Sequence, residues 1–330
     1  MEERDVIIIG AGPAGLSTAL FTQLDGWSTL VLERSWVGGQ GAIAYTVTNY
    51  PGFPPGDGAL LMESMEKQVT SAPPAGVGAE LRHERVVSLN AEDRIVITDL
   101  NQYKALAIVL STGSTMQQLD VPGEDRFVGR GVSYYAKRDL NQFRGKRVLV
   151  VGGGNTTVKS ALLAKTVASD VSLIHRRESL RAYPLMTKRL EQEGVRVWYN
   201  TEVREIKGNS QVKAVTLVNN ETHEEKEIEV DWIIICVGTV PDTGLAREAG
   251  LEMEGAFVKV DRRKMTSKPG ILACGEITGC DRHLISSASE GACAGMAASE
   301  YLALEMVKQG EMFEGAKNGK YADEFLAMLR

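Results

Sequence analysis

Glycines set behind a strand-forming run can carry a phosphate, and this chain has that arrangement twice. In DVIIIGAGPAGLSTAL, Asp5 to Leu20, the run leads into Gly10, Gly12 and Gly15. Gly10 permits a tight turn, Gly12 lets backbone approach a pyrophosphate, and Gly15 lets helix and strand pack closely. Pro13 and Ala14 open the helix, whose free N–H groups and positive dipole end suit phosphate oxygens. RVLVVGGGNTTVKSAL, Arg147 to Leu162, repeats the pattern at an offset of 142 residues, with Gly152 and Gly154 in its turn. One such turn can be an ordinary surface loop. Two, each between a strand and a helix and each followed by a second strand, point to two dinucleotide sites.

The copies differ where the second strand ends. STLVLE closes on Glu33, 18 residues after Gly15. A carboxylate there accepts hydrogen bonds from both ribose hydroxyls and favours a nucleotide without a 2′-phosphate, and FAD fits. VSLI instead runs into His175, Arg176 and Arg177, with Arg181 four residues on. Guanidinium groups bind phosphate by charge-assisted, bidentate hydrogen bonds, which suits the 2′-phosphate of NADPH. A solvated basic edge is the other reading.

Elements and bulk properties must accommodate these sites. A chain of 330 residues exceeds one ordinary hydrophobic core, so two domains are expected. Apolar content of 43% and charged content of 24% are those of a soluble globular protein, and a net charge of −6 argues against general nucleic-acid or membrane-surface binding. The longest apolar runs, IVLSTG and WIIICVG, are strand-length. MEERD leads directly into a strand, so no signal peptide is expected. Cysteines at 236, 274, 280 and 293 form no C-x-x-C, no zinc pattern and no disulfide framework, which fits a reducing cytoplasm. In the tail, Phe325, Leu326 and Leu329 fall at one-face helical spacing.

Nearly the whole chain resembles the low-molecular-weight thioredoxin reductases. The resemblance rests on GAGPAGLSTAL, LVLERSWVGGQ, NYPGFP, the STG at 111–113, GVSYYAKRD, VVGGGNTTV, HRRESLRA, CVGTVPDT, ACGEITG and SEGACAGMAASEYL. It implies an α/β fold with two Rossmann-like dinucleotide-binding domains, the NADPH domain inserted into a discontinuous FAD domain. The implied boundaries are 1–117 for the first FAD part, 118–243 for NADPH, and 244–330 for the second FAD part and tail. For FAD it implies Arg34 beside Glu33, then Gly39, Gln40, Asn49, Thr112, Gly113, Gly275, Glu276 and Ile285. For NADPH it implies Gly152, Gly154, Asn155, Thr156, His175, Arg176, Arg177 and Arg181. A cytoplasmic homodimer with a rotating NADPH domain is implied as well.

The departures bear on function. Tyr135 and Arg138 stand where the resemblance gives the two redox cysteines, and neither a phenol nor a guanidinium attacks a disulfide. Glu276 replaces Asp, while Asn155, Thr156, Thr157 and Lys159 replace Asp, Ser, Ala and Glu. Thr157 adds bulk at a close helix–strand contact, and Lys159 reverses a charge near the expected nicotinamide. YYAKRDLNQFRGKRV also resembles ferredoxin–NADP reductases of the thioredoxin-reductase type. Arg126, Arg130, Lys137, Arg138, Arg144, Lys146 and Arg147 form a basic run suited to an acidic ferredoxin or flavodoxin, or else an ordinary solvated face. Tyr134 and Tyr135 either stack on the flavin or pack within the fold. His283 is expected near the flavin, His83 and His223 at the surface.

The expected activity is hydride transfer from NADPH to FAD, then electron delivery to an external acceptor. Two alternatives stay open: a flavin-binding sensor or partner subunit without turnover, and a dithiol reductase using Cys274 and Cys280.

Overall fold

Runs of β-branched residues set the architecture in a computed structural model of the chain, which describes residues 1–71 and 78–308. The tail expectation at Phe325, Leu326 and Leu329 lies outside those residues. The chain packs as two units, Met1–Ser114 with the chain from Pro241 onward, and Thr115–Val240 between them. The breaks expected after 117 and 243 fall, by packing, after Ser114 and Val240.

The main elements begin with β1 (Glu2–Ile9), α1 (Pro13–Leu24), β2 (Thr29–Glu33), α2 (Gly58–Thr70), β3 (Glu80–His83), β4 (Val86–Asn90), β5 (Ile95–Thr98) and β6 (Gln102–Leu110). The second unit carries β7 (Val132–Ser133), β8 (Arg147–Gly152), α3 (Asn155–Lys165), β9 (Asp170–Ile174) and α4 (Pro184–Gln192). It continues with β10 (Arg196–Trp198), β11 (Thr201–Gly208), β12 (Val212–Asn219), β13 (Glu225–Glu229) and β14 (Trp232–Cys236). The chain returns to the first unit through β15 (Ile271–Ala273) and α5 (Leu284–Lys308).

In the first unit the sheet order is β3-β2-β1-β6-β5-β4, and β15 joins alongside the C-terminal half of β6. β1 pairs in parallel with β2 and β6. Val6, Ile7 and Ile8 are fully buried, as a parallel strand covered on both faces requires. One face packs against Leu16 and Ala19 of α1 and Ala294, Ala298 and Leu302 of α5. The other encloses Leu30, Tyr103, Ile108, Leu251 and Val258. The α1–α5 contact needs glycine: a Cβ on Gly291 would lie 2.0 Å from the Ala14 carbonyl oxygen, and one on Gly295 2.8 Å from that of Thr18.

In the second unit the strands run parallel in the order β10-β9-β8-β14-β7. α3 contributes fully buried Val158, Ala161 and Ala164. An antiparallel sheet, β11-β12-β13, adds Val203, Ile206, Val215 and Leu217 to a core shared with Leu149, Ile174 and Ile233. No helix among the described residues is long and apolar enough to cross a membrane.

Candidate functional site

The first glycine turn, between β1 and α1, separates glycines needed for packing from one left open. Gly10 has φ of +105°, and a Cβ there would lie 2.4 Å from the Ser111 carbonyl oxygen. A Cβ on Gly15 would lie 1.9 Å from the Gly10 oxygen. A Cβ added at Gly12 would meet nothing within 4 Å. The fold therefore does not require glycine at 12, whereas a pyrophosphate lying over the N-terminus of α1 would. Glu33, nearly buried at the end of β2, accepts the Ala11 N–H at 2.9 Å and the Ser35 N–H at 2.8 Å. Its remaining lone pairs suit ribose hydroxyls.

Other residues expected at this site gather around the turn. The Gly38 N–H donates to the Ala11 carbonyl at 2.7 Å, bringing the Gly39–Gly41 turn beside Gly12. Gln40 Nε2 donates to the Ser114 carbonyl at 3.4 Å, and Asn49 Nδ2 lies 3.4 Å from His283 Nδ1. Gly275, with φ of +82°, comes so near α1 that a Cβ would lie 2.9 Å from the Ala14 Cβ. Glu276 accepts a short hydrogen bond from the Ser114 hydroxyl. Both line a cavity of about 230 Å³ with Phe257, Gly279, Cys280 and Asp281. Ile285 is half-buried in the first turn of α5.

Asp242 was missed from sequence. It pairs with Arg34 at 2.8 Å, its carbonyl accepts the Thr112 hydroxyl at 2.6 Å, and its N–H donates to Gly113 at 2.9 Å. Arg34, placed by the resemblance on the cofactor, thus spends its charge on a carboxylate. Glu290 was also missed: it accepts the Gly275 N–H at 2.9 Å and the Thr278 hydroxyl at 2.7 Å, and pairs with Lys264.

Cys274 and Cys280 are free thiols. Cys274 is fully buried beside Thr18, and burial pushes its pKa up to about 12. Cys280 is half-buried, and burial raises it too. Neither environment favours the thiolate that exchange chemistry needs.

The second turn follows the logic of the first. Gly152 has φ of +142°, with the Cys236 carbonyl oxygen 2.3 Å from a Cβ position, while a Cβ added at Gly154 would meet nothing within 4 Å. Thr157 is accommodated in spite of its bulk, its hydroxyl accepting the Gly154 N–H at 3.3 Å and donating to the Cys236 carbonyl at 3.2 Å. His175 departs from expectation. Its ring lies against Gly153, 2.2 Å from a Cβ position, and is only 5% exposed. Burial first, and the Arg181 guanidinium second, hold its pKa down. It props the turn as a neutral ring and takes no place in the exposed cationic cluster. Arg176, Arg177 and Arg181 are exposed and without an ion pair among the described residues. Thr156 and Lys159 are exposed, and Asn155 Oδ1 accepts the Tyr183 N–H at 2.9 Å.

At the positions of the expected redox cysteines, the Arg138 guanidinium sits 4.7 Å from the centre of the Tyr135 ring. It binds both oxygens of Asp139 at 2.9 Å, and Asp139 also accepts the Ser133 hydroxyl at 2.7 Å. Burial alone would raise Asp139, but Arg138 and Ser133 outweigh it and hold the carboxyl below its ordinary range. Tyr134 packs within the second unit and donates to Glu124 at 2.6 Å. Glu124, unmarked in the sequence, is 2% exposed and also takes the Leu119 and Asp120 N–H groups. The basic run is thinner than its composition suggests. Arg138 is neutralised by Asp139, and Arg147 by Asp231 and Glu229.

A model of the pyridine nucleotide-disulphide oxidoreductase family matches residues 4–298, spanning both turns. A thioredoxin reductase of Treponema pallidum is 35% identical over 305 residues, covering 91% of this chain and 97% of that protein. The solved thioredoxin reductase of Lactococcus lactis superposes with a TM-score of 0.83 at 31% identity, over 91% of this chain and 99% of that one. A ferredoxin-flavin thioredoxin reductase from Clostridium acetobutylicum has a TM-score of 0.51 at 27% identity, over 92% and 99%. FAD and NADPH are the cofactors of such enzymes, and the open cradles at Gly12 and Gly154 fit them. The chain belongs to the pyridine nucleotide-disulphide oxidoreductase family, as an FAD- and NADPH-dependent oxidoreductase of the thioredoxin reductase type.

Proposed function

We propose that the protein carries reducing equivalents from NADPH through FAD to an acceptor outside the chain, an acidic electron-carrier protein such as a ferredoxin or flavodoxin. The observation that carries this is the Tyr135–Arg138–Asp139 cluster, which fills the dithiol positions with groups that cannot exchange disulfides. The buried Cys274 speaks against a replacement thiol pair. Gly12, Pro13, Ala14 and Glu33 would hold the FAD diphosphate and ribose. Gly39, Gln40, Asn49, Thr112, Gly113, Gly275, Glu276 and Ile285 would line its flavin and ribityl parts. FAD, when bound, accepts two electrons as hydride and can release them singly. The chain needs only to hold nicotinamide and flavin in stacked geometry and to keep the reduced ring accessible to a carrier.

Two observations support the choice of acceptor. Arg126, Arg130 and Arg144 form no ion pair with a carboxylate among the described residues and would attract an acidic surface. The Clostridium acetobutylicum protein joins ferredoxin and flavin in its name on a similar fold. The protein would act as a cytoplasmic homodimer. Steady-state assays of the holoenzyme with NADPH should show reduction of a ferredoxin or flavodoxin, slowing as salt rises. They should show no reduction of thioredoxin. Rapid thioredoxin reduction, with carriers left oxidised, would overturn the reading.

A further inference from the structure

An arginine recognises phosphate best when its backbone is already in place, because a loose loop must be ordered at the expense of affinity. The loop of residues 176–183, between β9 and α4, is tied by its backbone at both ends. Toward the glycine turn, the Arg181 N–H donates to the Gly153 carbonyl at 2.7 Å and the Tyr183 N–H to Asn155 Oδ1 at 2.9 Å. On the other side, Asn220 Nδ2 donates to the Arg176 carbonyl at 3.1 Å, and the Asn200 N–H to the Arg177 carbonyl at 3.2 Å. Asn200 is itself held in a left-handed conformation, φ +50°, and its carbonyl accepts the Asn220 N–H at 2.7 Å. Asn220 directly follows β12, in the turn leading to β13. The antiparallel sheet thus braces a loop whose three guanidinium groups point to no carboxylate among the described residues.

We infer that Asn220 is a positioning residue that holds the arginine loop ready for phosphate and so sets the preference for a 2′-phosphorylated nucleotide. Asn220 lies in neither glycine turn nor the arginine cluster, and it acts on the ligand only through the Arg176 backbone. The inference rests on the second turn being the NADPH site. Losing its side-chain hydrogen bond leaves the Arg176 carbonyl near water, so the fold survives and the loss falls on the ordering of the loop.

The test is equilibrium titration of the oxidised, FAD-loaded enzyme with NADP⁺ and, separately, with NAD⁺. Wild type should prefer NADP⁺. Asn220→Ala should weaken NADP⁺ about fivefold to tenfold, the worth of one hydrogen bond, and leave NAD⁺ affinity unchanged. Equal weakening of both nucleotides, or no change in either, overturns the inference while the site assignment stands. A wild type that binds both alike removes the site assignment, and the inference falls with it. Should Asn220→Ala not fold, the milder Asn220→Ser, whose hydroxyl is too short to reach, decides on the same ratio.

Discussion

Gly12 and Gly154 are glycine for a reason that packing does not supply, since a Cβ at either meets nothing within 4 Å. Gly12→Ala should therefore fold with stability within about 0.5 kcal/mol of wild type, yet be purified with little FAD. A colourless protein with an unchanged melting curve is the expected result; full yellow occupancy would contradict it. Gly153→Ala should behave oppositely. Its Cβ would fall 2.2 Å from the His175 ring, so about 1–3 kcal/mol of stability should be lost. Asp139 adds a pH dependence. Its folded carboxyl titrates below the unfolded one, so its pairing stabilises the protein above the ordinary aspartate range. That contribution is lost as pH falls through the folded value. Melting temperatures measured from neutral pH downward should fall less steeply in Asp139→Asn than in wild type, although the variant starts lower. The glycines, Glu33 and the arginines were legible because each belongs to a local spacing. Asp242, Glu124 and Asn220 were not, because their partners are set by folding: Thr112 meets Asp242 across 130 positions and Asn220 meets Arg176 across 44.

Among the elements, the close pairing of α1 with α5 positions the first turn. Thr18 donates to the Gly291 carbonyl at 2.9 Å, and a Cβ on Gly291 would lie 2.0 Å from the Ala14 oxygen. Gly291→Ala should push the helices apart, reducing stability by about 1–3 kcal/mol and weakening FAD retention together. Thermal melts and flavin content on one preparation would check it, and a loss of only one property would be unexpected. The parallel strands were readable as unbroken apolar runs such as VIII and WIIIC, because both of their faces are covered. The antiparallel β11-β12-β13 was not marked beforehand. Strands such as TEVREIKG alternate charged with apolar residues and carry no motif, and their value as a brace for the arginine loop appears only once the turn at Asn220 is in place.

For the whole molecule, the two-unit division was legible because the glycine turn recurs at an offset of 142 residues, one copy in each unit. The proposed route of electrons rests less on what repeats than on what is missing. With Arg138 lying over the Tyr135 ring and bound to Asp139, the flavin should be the only redox group that NADPH can fill. The most direct test is an anaerobic titration of the yellow holoenzyme with NADPH, following flavin absorbance near ~450 nm and counting electrons to completion. This account predicts full bleaching after about one NADPH per flavin, with no new thiols appearing. A requirement for about two NADPH per flavin, with two thiols gained, would reveal a hidden dithiol and contradict it.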